Sequence, residues 1–460
     1  MTSACNLRCS HCYNAAYFDP KVRREKKRLT LEESKDLVDR LEAGGFRHLH
    51  FLGGEPLLYR HLFELIEYAK HRGFLVSINS NATLLDNHKQ GRLLELEVDQ
   101  FAASLDGCTP EVNDSIRGAG TFERVCRNVS AFAQLVKARQ SKLQLQLVFT
   151  LTRRNLDDLP KLPALADQLG VQLVVLNPLF ECGQAELNAP LLRYSADEVC
   201  SAIDQSLSDW RKYPSISLQI DDRPRFCAYL ELKHGQIVNV NPKFSGCSAG
   251  ENVWYLDAYG FLHPCAVHLS QTGKSAYSSG LATFEPVNVR CLLSPEITMD
   301  SVGSIDLIED SVYWKSFLLL KHNFDVRNLP LCGECSYVDV CTPCPFEHLD
   351  GVAVPQCIWT VQQEKGLVNE FVDKVVSKSN GVSVIVRGNA TAREQIEAAD
   401  IVLDNGVAVE MWDLVDGKNS VRDIARVLVS RYDGVDESTV CNDAVMFFLS
   451  LKNSGVVGLN

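Results

Sequence analysis

Apolar and polar positions follow two alternating patterns over the first 190 residues of the chain. Short apolar runs of strand length alternate with longer stretches in which apolar residues recur at helical spacing. The runs predict strands at 48–52, 74–79, 100–105, 144–150 and 172–176, and the longer stretches predict helices at 30–43, 60–72, 87–96, 122–138 and 159–169. This order predicts parallel β/α units, in which functional residues lie at the carboxyl ends of the strands.

The pattern changes after residue 190. Residues 191–219 are expected to form a helix and a connector, and a cysteine-rich stretch precedes an amphipathic helix at 359–377. The tail predicts a strand at 382–386, a hairpin over 402–409 around Asn405-Gly406, helices at 408–415, 421–430 and 438–452, and a strand at 455–457. We therefore expect an α/β protein with a partial (βα)6 TIM-like barrel, a cysteine-rich domain and a small winged helix-turn-helix domain.

Charge and composition limit the classes of partner. The net charge of −12 argues against general binding to nucleic acid or to a membrane surface. The tail, residues 381–460, holds 7 Lys/Arg and 12 Asp/Glu, a net charge of −5, so its surface does not suit DNA. Neither a transmembrane run nor a signal peptide is present, so we expect a cytoplasmic protein, in which 17 cysteines favour metal sites over disulfides.

Three cysteines near the start of the chain, Cys5, Cys9 and Cys12, form a C-x3-C-x2-C motif. Loops this short do not satisfy disulfide geometry. Three thiolates suit one face of a 4Fe–4S cluster, which usually takes four cysteines, so one iron is left open to a small molecule. A zinc knuckle or a set of buried thiols is the alternative.

Glycines and polar residues follow the predicted strands. Gly53-Gly54-Glu55-Pro56 follows the first strand and Ser80-Asn81 follows the second. Ser104 lies near the end of the third, and Arg117 lies further along the chain. Glycine lets the backbone approach a ligand closely, and an arginine can bind both oxygens of a carboxylate. Their ordinary alternative is a role in turns.

With the cysteine motif, these residues resemble the radical S-adenosylmethionine (SAM) enzymes. The resemblance implies that the open iron holds the amino and carboxylate groups of SAM, and that SAM cleavage gives a 5′-deoxyadenosyl radical that abstracts hydrogen from an unactivated carbon. It implies SAM contacts by Gly53, Gly54, Glu55, Asn81, Ser104 and Arg117, and by His11 where many members have an aromatic residue. In that family a buried strand leads into the motif, whereas residues 1–4 alone precede Cys5, so we expect an internal start or a barrel without its first strand.

A second group of cysteines follows the predicted barrel. Cys247 and Cys265 fit C-x12-G-x4-C through Gly260, and the remaining members are Cys332, Cys335, Cys341, Cys344 and Cys357. The order resembles the SPASM extension, which implies two auxiliary 4Fe–4S clusters, although C-x2-C replaces the usual C-x3-C at Cys341. The implied ligand sets are Cys332, Cys335, Cys341 and Cys357 for one cluster, and Cys247, Cys265 and Cys344, with Cys227 as a candidate fourth ligand, for the other. A zinc ribbon is the alternative.

The tail resembles a peptide-binding chaperone of pyrroloquinoline quinone biosynthesis (PqqD-like) over residues 401–417 and 420–424. The resemblance implies an element that recognises the leader of a ribosomally made precursor peptide. Such leaders add as a strand to a sheet edge, so that backbone hydrogen bonds supply affinity and side-chain pockets supply choice.

The sequence thus predicts a radical SAM maturase that modifies, and most simply cross-links, a precursor peptide. The expected domains are a barrel at 1–190, a connector at 191–240, a SPASM domain at 241–365, a helix and linker at 366–380 and a PqqD-like domain at 381–460. A flavodoxin or ferredoxin-type reductant is the expected electron donor, and Cys182 is a candidate substrate-facing residue.

Three alternatives stay open at this point. A sulfatase-maturating enzyme would carry an aspartate where this chain has Ala266. A non-catalytic iron–sulfur scaffold would bind peptide or pass electrons without turning over SAM. A transcription regulator would require DNA binding by the acidic tail.

Overall fold

The computed structural model describes residues 2–13, 28–181, 183–220, 224–234, 249–264, 287–288, 355–379, 384–386, 401–403, 406–432, 435–453 and 456–459. The chain forms two compact units. The first comprises Met1–Asp222 and Asn239–Ala353, and the second comprises Arg223–Val238 and Val354–Asn460.

Six parallel strands form one sheet in the first unit, and their order in the sheet is their order in the chain. They are β1 (His48–Phe51), β2 (Leu75–Ser80), β3 (Gln100–Ser104), β4 (Gln144–Thr150), β5 (Leu173–Asn177) and β6 (Ser217–Ile220). All carboxyl ends of these strands therefore lie at the same edge of the sheet. The arrangement is that of a partial barrel of β/α units.

Helices precede and connect the strands. They are α1 (Leu31–Ala43), α2 (Leu62–His71), α3 (Asn87–Glu95), α4 (Pro110–Arg117), α5 (Thr121–Ala138), α6 (Leu162–Leu169), the short α7 (Gln184–Leu187) and α8 (Ala189–Leu192), and α9 (Ala196–Trp210). A capping box starts α1, since Thr30 and Glu33 exchange side-chain to backbone hydrogen bonds. The five strands and five helices predicted up to residue 177 are confirmed to within a few residues.

The sixth strand is a difference from the sequence prediction. The sequence predicts a helix and a connector over 191–219, whereas the structure has α9 and then β6, which pairs in parallel with β5. Leu218 and Ile220 are buried. Four residues give too short an alternation to be separated from a loop, and it is pairing with β5 that makes this segment a strand.

The two faces of the sheet differ in polarity. One face is fully buried and apolar, and includes Val76, Ile78, Phe101, Leu147, Phe149 and Val174. Phe101 packs edge to face on Phe132 of α5, with ring centroids 5.5 Å apart. Near the carboxyl ends the opposite face carries polar side chains, which leaves that region available for binding.

A small antiparallel sheet also belongs to the first unit, formed by β7 (Tyr255–Leu256), β8 (Phe261–His263) and β9 (Val287–Asn288). Gly260 lies in the β7–β8 turn with φ of +89°, a conformation that favours glycine. Asp257 accepts hydrogen bonds from the backbone N–H groups of Tyr259 and Phe261 in the same turn. The glycine of the predicted C-x12-G-x4-C motif is therefore a turn residue.

The second unit is mainly helical. Its helices are α10 (Pro224–His234), α11 (Pro355–Phe371), α12 (Gly406–Asp413), α13 (Val421–Val429) and α14 (Glu437–Asn453), and its strands are β10 (Val376–Lys378), β11 (Val384–Val386), β12 (Ile401–Leu403) and β13 (Val457–Leu459). Trp359 of α11 contacts Phe226 and Tyr229 of α10 edge to face, at centroid distances of 5.7 and 5.5 Å. Helices α10 and α11 both pack against α14.

Helices α13 and α14 and the antiparallel pair β10–β13 supply elements of a small winged helix-turn-helix module. Helix α13 buries one apolar face, made by Val421, Ile424, Ala425 and Leu428. A capping box between Ser420 and Asp423 starts this helix.

The predicted hairpin over 402–409 is wrong. Strand β12 pairs in parallel with β11, and α12 begins at Gly406, where the hairpin turn was expected. Met411 of α12 is buried, and so is Val415 just after the helix. The local Asn-Gly turn signal therefore does not decide the conformation of this segment.

Several predicted site residues lie outside the described residues. They are Cys182, Cys247, Cys265, Cys332, Cys335, Cys341 and Cys344. Among the helices that the structure does describe, none has both the length and the apolar character needed to cross a membrane.

Candidate functional site

A cavity of about 210 Å³ opens at the carboxyl ends of strands β1 to β5. Cys5, Cys9 and Cys12 all line it, so the structure brings the three motif cysteines to one site. The other predicted site residues that line it are His11, Gly53, Gly54, Asn81, Ser104 and Arg117. The shared position agrees with the expectation that chemistry in β/α proteins lies at this edge.

Backbone hydrogen bonds hold the cysteine segment on both sides of the motif. The carbonyl oxygens of Thr2 and Ala4 accept from Gly54 N at 3.1 Å and from Glu55 N at 2.8 Å. Ser10 N donates to the carbonyl of Ile116 in α4 at 2.8 Å, and Cys12 O accepts from the backbone of α7 at 2.8 Å. The loop is therefore fixed to the loop after β1 and to two helices.

The glycine pair after β1 makes this close approach possible. Gly53 has φ of +134°, which L side chains rarely adopt. A Cβ atom on Gly54 would lie 2.2 Å from the carbonyl oxygen of Ala4. Glycine at position 54 is thus required by the cysteine segment itself, beyond any contact with a ligand.

Glu55 differs in position from the other members of its motif. It is fully buried and is not among the residues lining the cavity. Its carboxylate accepts from Leu57 N at 3.0 Å, Ser80 Oγ at 2.7 Å and Asn81 N at 2.9 Å. Burial raises the pKa of Glu55, and these hydrogen bonds oppose that rise. Glu55 therefore braces the ends of β1 and β2.

Asn81 and Ser104 lie at the ends of neighbouring strands. The Asn81 side-chain amide donates to Asn6 Oδ1 at 3.0 Å and lies 3.8 Å from Cys5 Sγ. Ser104 is the last residue of β3. Both present polar groups to the cavity within reach of the cysteine loop.

Arg117 and His11 meet at one buried carboxylate. Arg117 Nε lies 2.5 Å from Asp106 Oδ2, and His11 Nε2 lies 3.4 Å from the same oxygen. Burial lowers the pKa of His11 to about 4, although Asp106 acts in the opposite direction. Arg117 Nη1 is 4.0 Å from Cys9 Sγ, so the guanidinium lies between a carboxylate and a motif cysteine.

Sequence reasoning did not select Asp106 as a site residue. Its side chain is fully buried and its Oδ1 accepts from Thr150 N at 2.8 Å. The available signal was its position, two residues after the last residue of β3. That signal carries little weight without knowing that Arg117 forms an ion pair with Asp106.

Three further cavity residues were also missed: Asn79, Thr150 and Asn177. Thr150 and Asn177 are the last residues of β4 and β5. Asn79 lies next to the end of β2, and its Oδ1 is 3.0 Å from His50 Nε2. Each is a polar residue at or next to the end of its strand, which was the signal available in the sequence.

The chemistry of this donor set fits an iron–sulfur cluster with one open iron. No group of three His, Cys, Asp or Glu side chains in the described part of the chain surrounds a single metal ion. A cluster differs from a single ion because each thiolate ligates a separate iron. Three thiols on one wall, with a guanidinium and an amide beside two of them, match that requirement.

Comparison with known proteins assigns the class. Residues 1–159 match the radical SAM superfamily. The chain therefore has a radical SAM domain. The matched region contains the three motif cysteines and strands β1 to β4. Residues 399–457 match coenzyme PQQ synthesis protein D (PqqD), so the C-terminal region contains a PqqD domain.

Relatives are similar over most of the chain. Mycofactocin maturase MftC from Mycobacterium ulcerans is 25% identical over 341 residues, covering 74% of this chain and 80% of that protein. AdoMet-dependent heme synthase from Oleidesulfovibrio alaskensis is 26% identical over 354 residues, covering 75% of this chain and 80% of that protein. The crystal structure of Streptococcus suis SuiB bound to precursor peptide SuiA gives a TM-score of 0.55 at 14% identity, covering 76% of this chain and 71% of that chain, which establishes a shared fold.

Proposed function

We propose that this protein is a radical SAM maturase that modifies a ribosomally made precursor peptide bound through its leader. The observation that carries the proposal is the presence, in one chain, of a radical SAM domain over residues 1–159 and a PqqD domain over residues 399–457. The first supplies radical chemistry, and the second supplies a reason for the substrate to be a peptide. Two relatives support the combination, one named a mycofactocin maturase and one crystallised with a precursor peptide.

Cys5, Cys9 and Cys12 would hold the cluster at the cavity. When bound there, a 4Fe–4S cluster and SAM supply a carbon-centred radical able to remove hydrogen from an unactivated carbon. Arg117 offers N–H donors to the SAM carboxylate, and Asn81 and Ser104 offer polar groups to the remainder of the cofactor.

The chain's own residues would position the reactants. Fixed backbone bonds hold the cysteine loop, and the Glu55 carboxylate fixes the strand ends that carry Ser80 and Asn81. The polar side chains of Asn79, Thr150 and Asn177 face the same cavity and can orient the reacting segment of the substrate. The bond formed by the enzyme is proposed to be a cross-link within the peptide.

Auxiliary clusters belong to the same proposal. Cys332, Cys335, Cys341 and Cys357 would hold one cluster, and Cys247, Cys265 and Cys344 the other. Cys227 is the candidate fourth ligand of the second set; it is 3% exposed on α10 in the second unit. Cys182 remains a proposed substrate-facing residue. The domain limits at residues 190, 240, 365 and 380 are proposals of the same standing.

The precursor peptide would bind the PqqD domain through its leader, which adds as a strand to a sheet edge. A flavodoxin or ferredoxin-type protein would supply the electron in the cytoplasm. These partners follow from the proposed chemistry, because SAM cleavage consumes one electron that a small redox protein can deliver.

A role in heme synthesis is the second candidate function. It is favoured by the 26% identity to AdoMet-dependent heme synthase over 354 residues. Fe-coproporphyrin III synthase from Methanosarcina barkeri is also 31% identical over 230 residues, covering 48% of this chain. The two candidates require different substrates, so one experiment separates them.

The test is anaerobic co-expression with the short open reading frame nearest the gene, followed by mass spectrometry of the recovered peptide. The same purified protein, shown to cleave SAM, is incubated in parallel with an iron porphyrin. Loss of two hydrogens from the peptide is the expected result and indicates a cross-link. A change in the porphyrin, with an unchanged peptide, overturns the maturase proposal in favour of heme synthesis.

A further inference from the structure

Arg117 occupies a position between two groups of opposite chemical role. It is the last residue of α4 and is 7% exposed. Its Nε lies 2.5 Å from Asp106 Oδ2, and its Nη1 lies 4.0 Å from Cys9 Sγ. One edge of the planar guanidinium is therefore held by a carboxylate while an N–H group on another nitrogen is directed at a cysteine sulfur.

The carboxylate that orients Arg117 is itself rigid. Asp106 is 0% exposed, and its Oδ1 accepts from Thr150 N at 2.8 Å. Its backbone N–H donates to Asn113 Oδ1 at 3.0 Å, and its carbonyl accepts from Asn155 Nδ2 at 3.0 Å. Both the main chain and the side chain of Asp106 are thus fixed before any cofactor binds.

The sulfur on the other side is fixed to the same helix as Arg117. Ser10 N donates to the carbonyl of Ile116, at a distance of 2.8 Å. Ser10 follows Cys9 and Ile116 precedes Arg117, so one backbone hydrogen bond joins the neighbours of the two interacting residues. The distance between the Arg117 guanidinium and the Cys9 sulfur is therefore built into the fold.

A cation next to a cluster ligand has a defined physical effect. Reduction adds negative charge to an iron–sulfur cluster, and its potential depends on net charge and on hydrogen bonds to the sulfurs. A buried guanidinium stabilises the reduced form more than a solvated cation would, because the surroundings screen it weakly. The carboxylate of Asp106 opposes this effect, because it carries the opposite charge.

We infer that Arg117, oriented by Asp106, donates a hydrogen bond to the sulfur of Cys9 and raises the reduction potential of the cluster held at this site. The inference rests on the proposed cluster site and adds to it a positioning residue and a function for Asp106. It differs from the expected role of Arg117 as a ligand of the SAM carboxylate, which requires SAM to be present.

The experiment measures the midpoint potential of the cluster in the reconstituted full-length protein without SAM or peptide. Potentials are followed by EPR, using the signal that is absent from the Cys9→Ala variant, so that other clusters do not interfere. The variants are Arg117→Met, which removes the charge, and Arg117→Lys, which keeps the charge but loses the planar guanidinium whose N–H group faces Cys9. Arg40→Met is the matched control. Arg40 is also 7% exposed, its Nε lies 3.3 Å from Asp36 Oδ2, and it does not line the cysteine cavity.

The inference predicts a more negative potential for Arg117→Met, a smaller decrease for Arg117→Lys and an unchanged potential for Arg40→Met. If Arg117→Met fails to assemble a cluster, Arg117→Lys decides, since a potential equal to or above that of the wild type overturns the inference. A potential unchanged in both variants, with weakened SAM binding in Arg117→Met by calorimetry, restricts Arg117 to the SAM carboxylate. If the wild-type protein binds no iron, the proposed cluster site is wrong and the inference is overturned with it.

Discussion

Glu55 and Ser80 join the ends of two neighbouring parallel strands through a hydrogen bond of 2.7 Å from Ser80 Oγ to Glu55 Oε1. The same carboxylate accepts from the backbone N–H groups of Leu57 and Asn81, so all three donors depend on two acceptor oxygens. Ser80 and Asn81 themselves line the cavity that the motif cysteines line. It gives Glu55 a structural role that can be measured without any cofactor.

Replacing Glu55 with glutamine should destabilise the apo protein by about 1–3 kcal/mol. The amide nitrogen cannot accept a hydrogen bond, so at least one buried donor loses its partner. Thermal unfolding followed by circular dichroism measures the effect. Glu64→Gln serves as the control, because the Glu64 side chain is 57% exposed and should shift stability by less than about 0.5 kcal/mol. Equal thermal unfolding midpoints for the two variants would contradict the proposed structural role of Glu55.

Gly54→Ala should prevent the cysteine segment from reaching its place. The added Cβ would lie 2.2 Å from Ala4 O, which is backbone and cannot move aside cheaply. We expect strongly reduced iron uptake on reconstitution, measured per chain, with secondary structure retained. Gly91→Ala is the matched control: nothing lies within 4 Å of its Cβ position inside α3, and it should take up iron normally and gain about 0.5–1 kcal/mol of stability. Normal iron content in Gly54→Ala would contradict the close approach.

Single replacement of Cys5, Cys9 or Cys12 by alanine should abolish 5′-deoxyadenosine formation and lower the bound iron. Each thiol is expected to ligate a separate iron, so the loss of any one breaks the set. Cys126→Ala provides the control, since Cys126 lies on α5 outside the cavity and burial raises the pKa of its thiol to about 11. Chromatography of the reaction mixture measures 5′-deoxyadenosine, and an iron assay measures the iron bound per chain. Undiminished SAM cleavage in all three cysteine variants would exclude this loop as the cluster site.

Deleting residues 381–460 should weaken binding of the precursor peptide by at least about tenfold, equivalent to about 1.4 kcal/mol, while uncoupled SAM cleavage persists. The cysteine cavity is lined by residues between Cys5 and Phe180, which the deletion leaves in place. Fluorescence anisotropy with a labelled peptide measures the affinity.

The deletion also removes α14, against which α10 and α11 pack, so a second comparison is needed. The intact protein should bind a peptide without its leader as weakly as the shortened protein binds the whole peptide. Leader recognition by the tail would be contradicted if the shortened protein kept full affinity for the whole peptide. It would also be contradicted if the intact protein bound the leaderless peptide with full affinity.

Local sequence signals predicted much of the first unit because they agree with its tertiary structure. Apolar runs bounded by glycines and caps fixed β1 to β5, and the cysteine spacing identified a loop that the structure holds at the strand ends. The signals failed where long-range contacts decide. Segment 217–220 becomes a strand only by pairing with β5, and Gly406 starts a helix although Asn405-Gly406 has the sequence of a turn.

The site also contains residues that local sequence identifies and residues whose role depends on long-range contacts. Gly53 and Gly54 were recognisable from the sequence, whereas Asp106 acquires its importance from Arg117, eleven positions away along the chain. Glu55 belongs to a motif associated with SAM, but its carboxylate is turned into the protein and used by three internal donors. Residue type and spacing report what can bind, and only the folded chain reports which donors already have partners.

Helix α10 has a consequence for engineering of the C-terminal unit. This helix comes directly after the last strand of the barrel sheet in sequence, yet it belongs to the compact unit formed with the tail. The backbone therefore crosses from one unit to the other three times, at residues 222–223, 238–239 and 353–354. A chimera that exchanges only residues 399–457 would leave Trp359 and its partners on α10 behind, so a transplantable recognition module must be assembled from separated pieces of the gene.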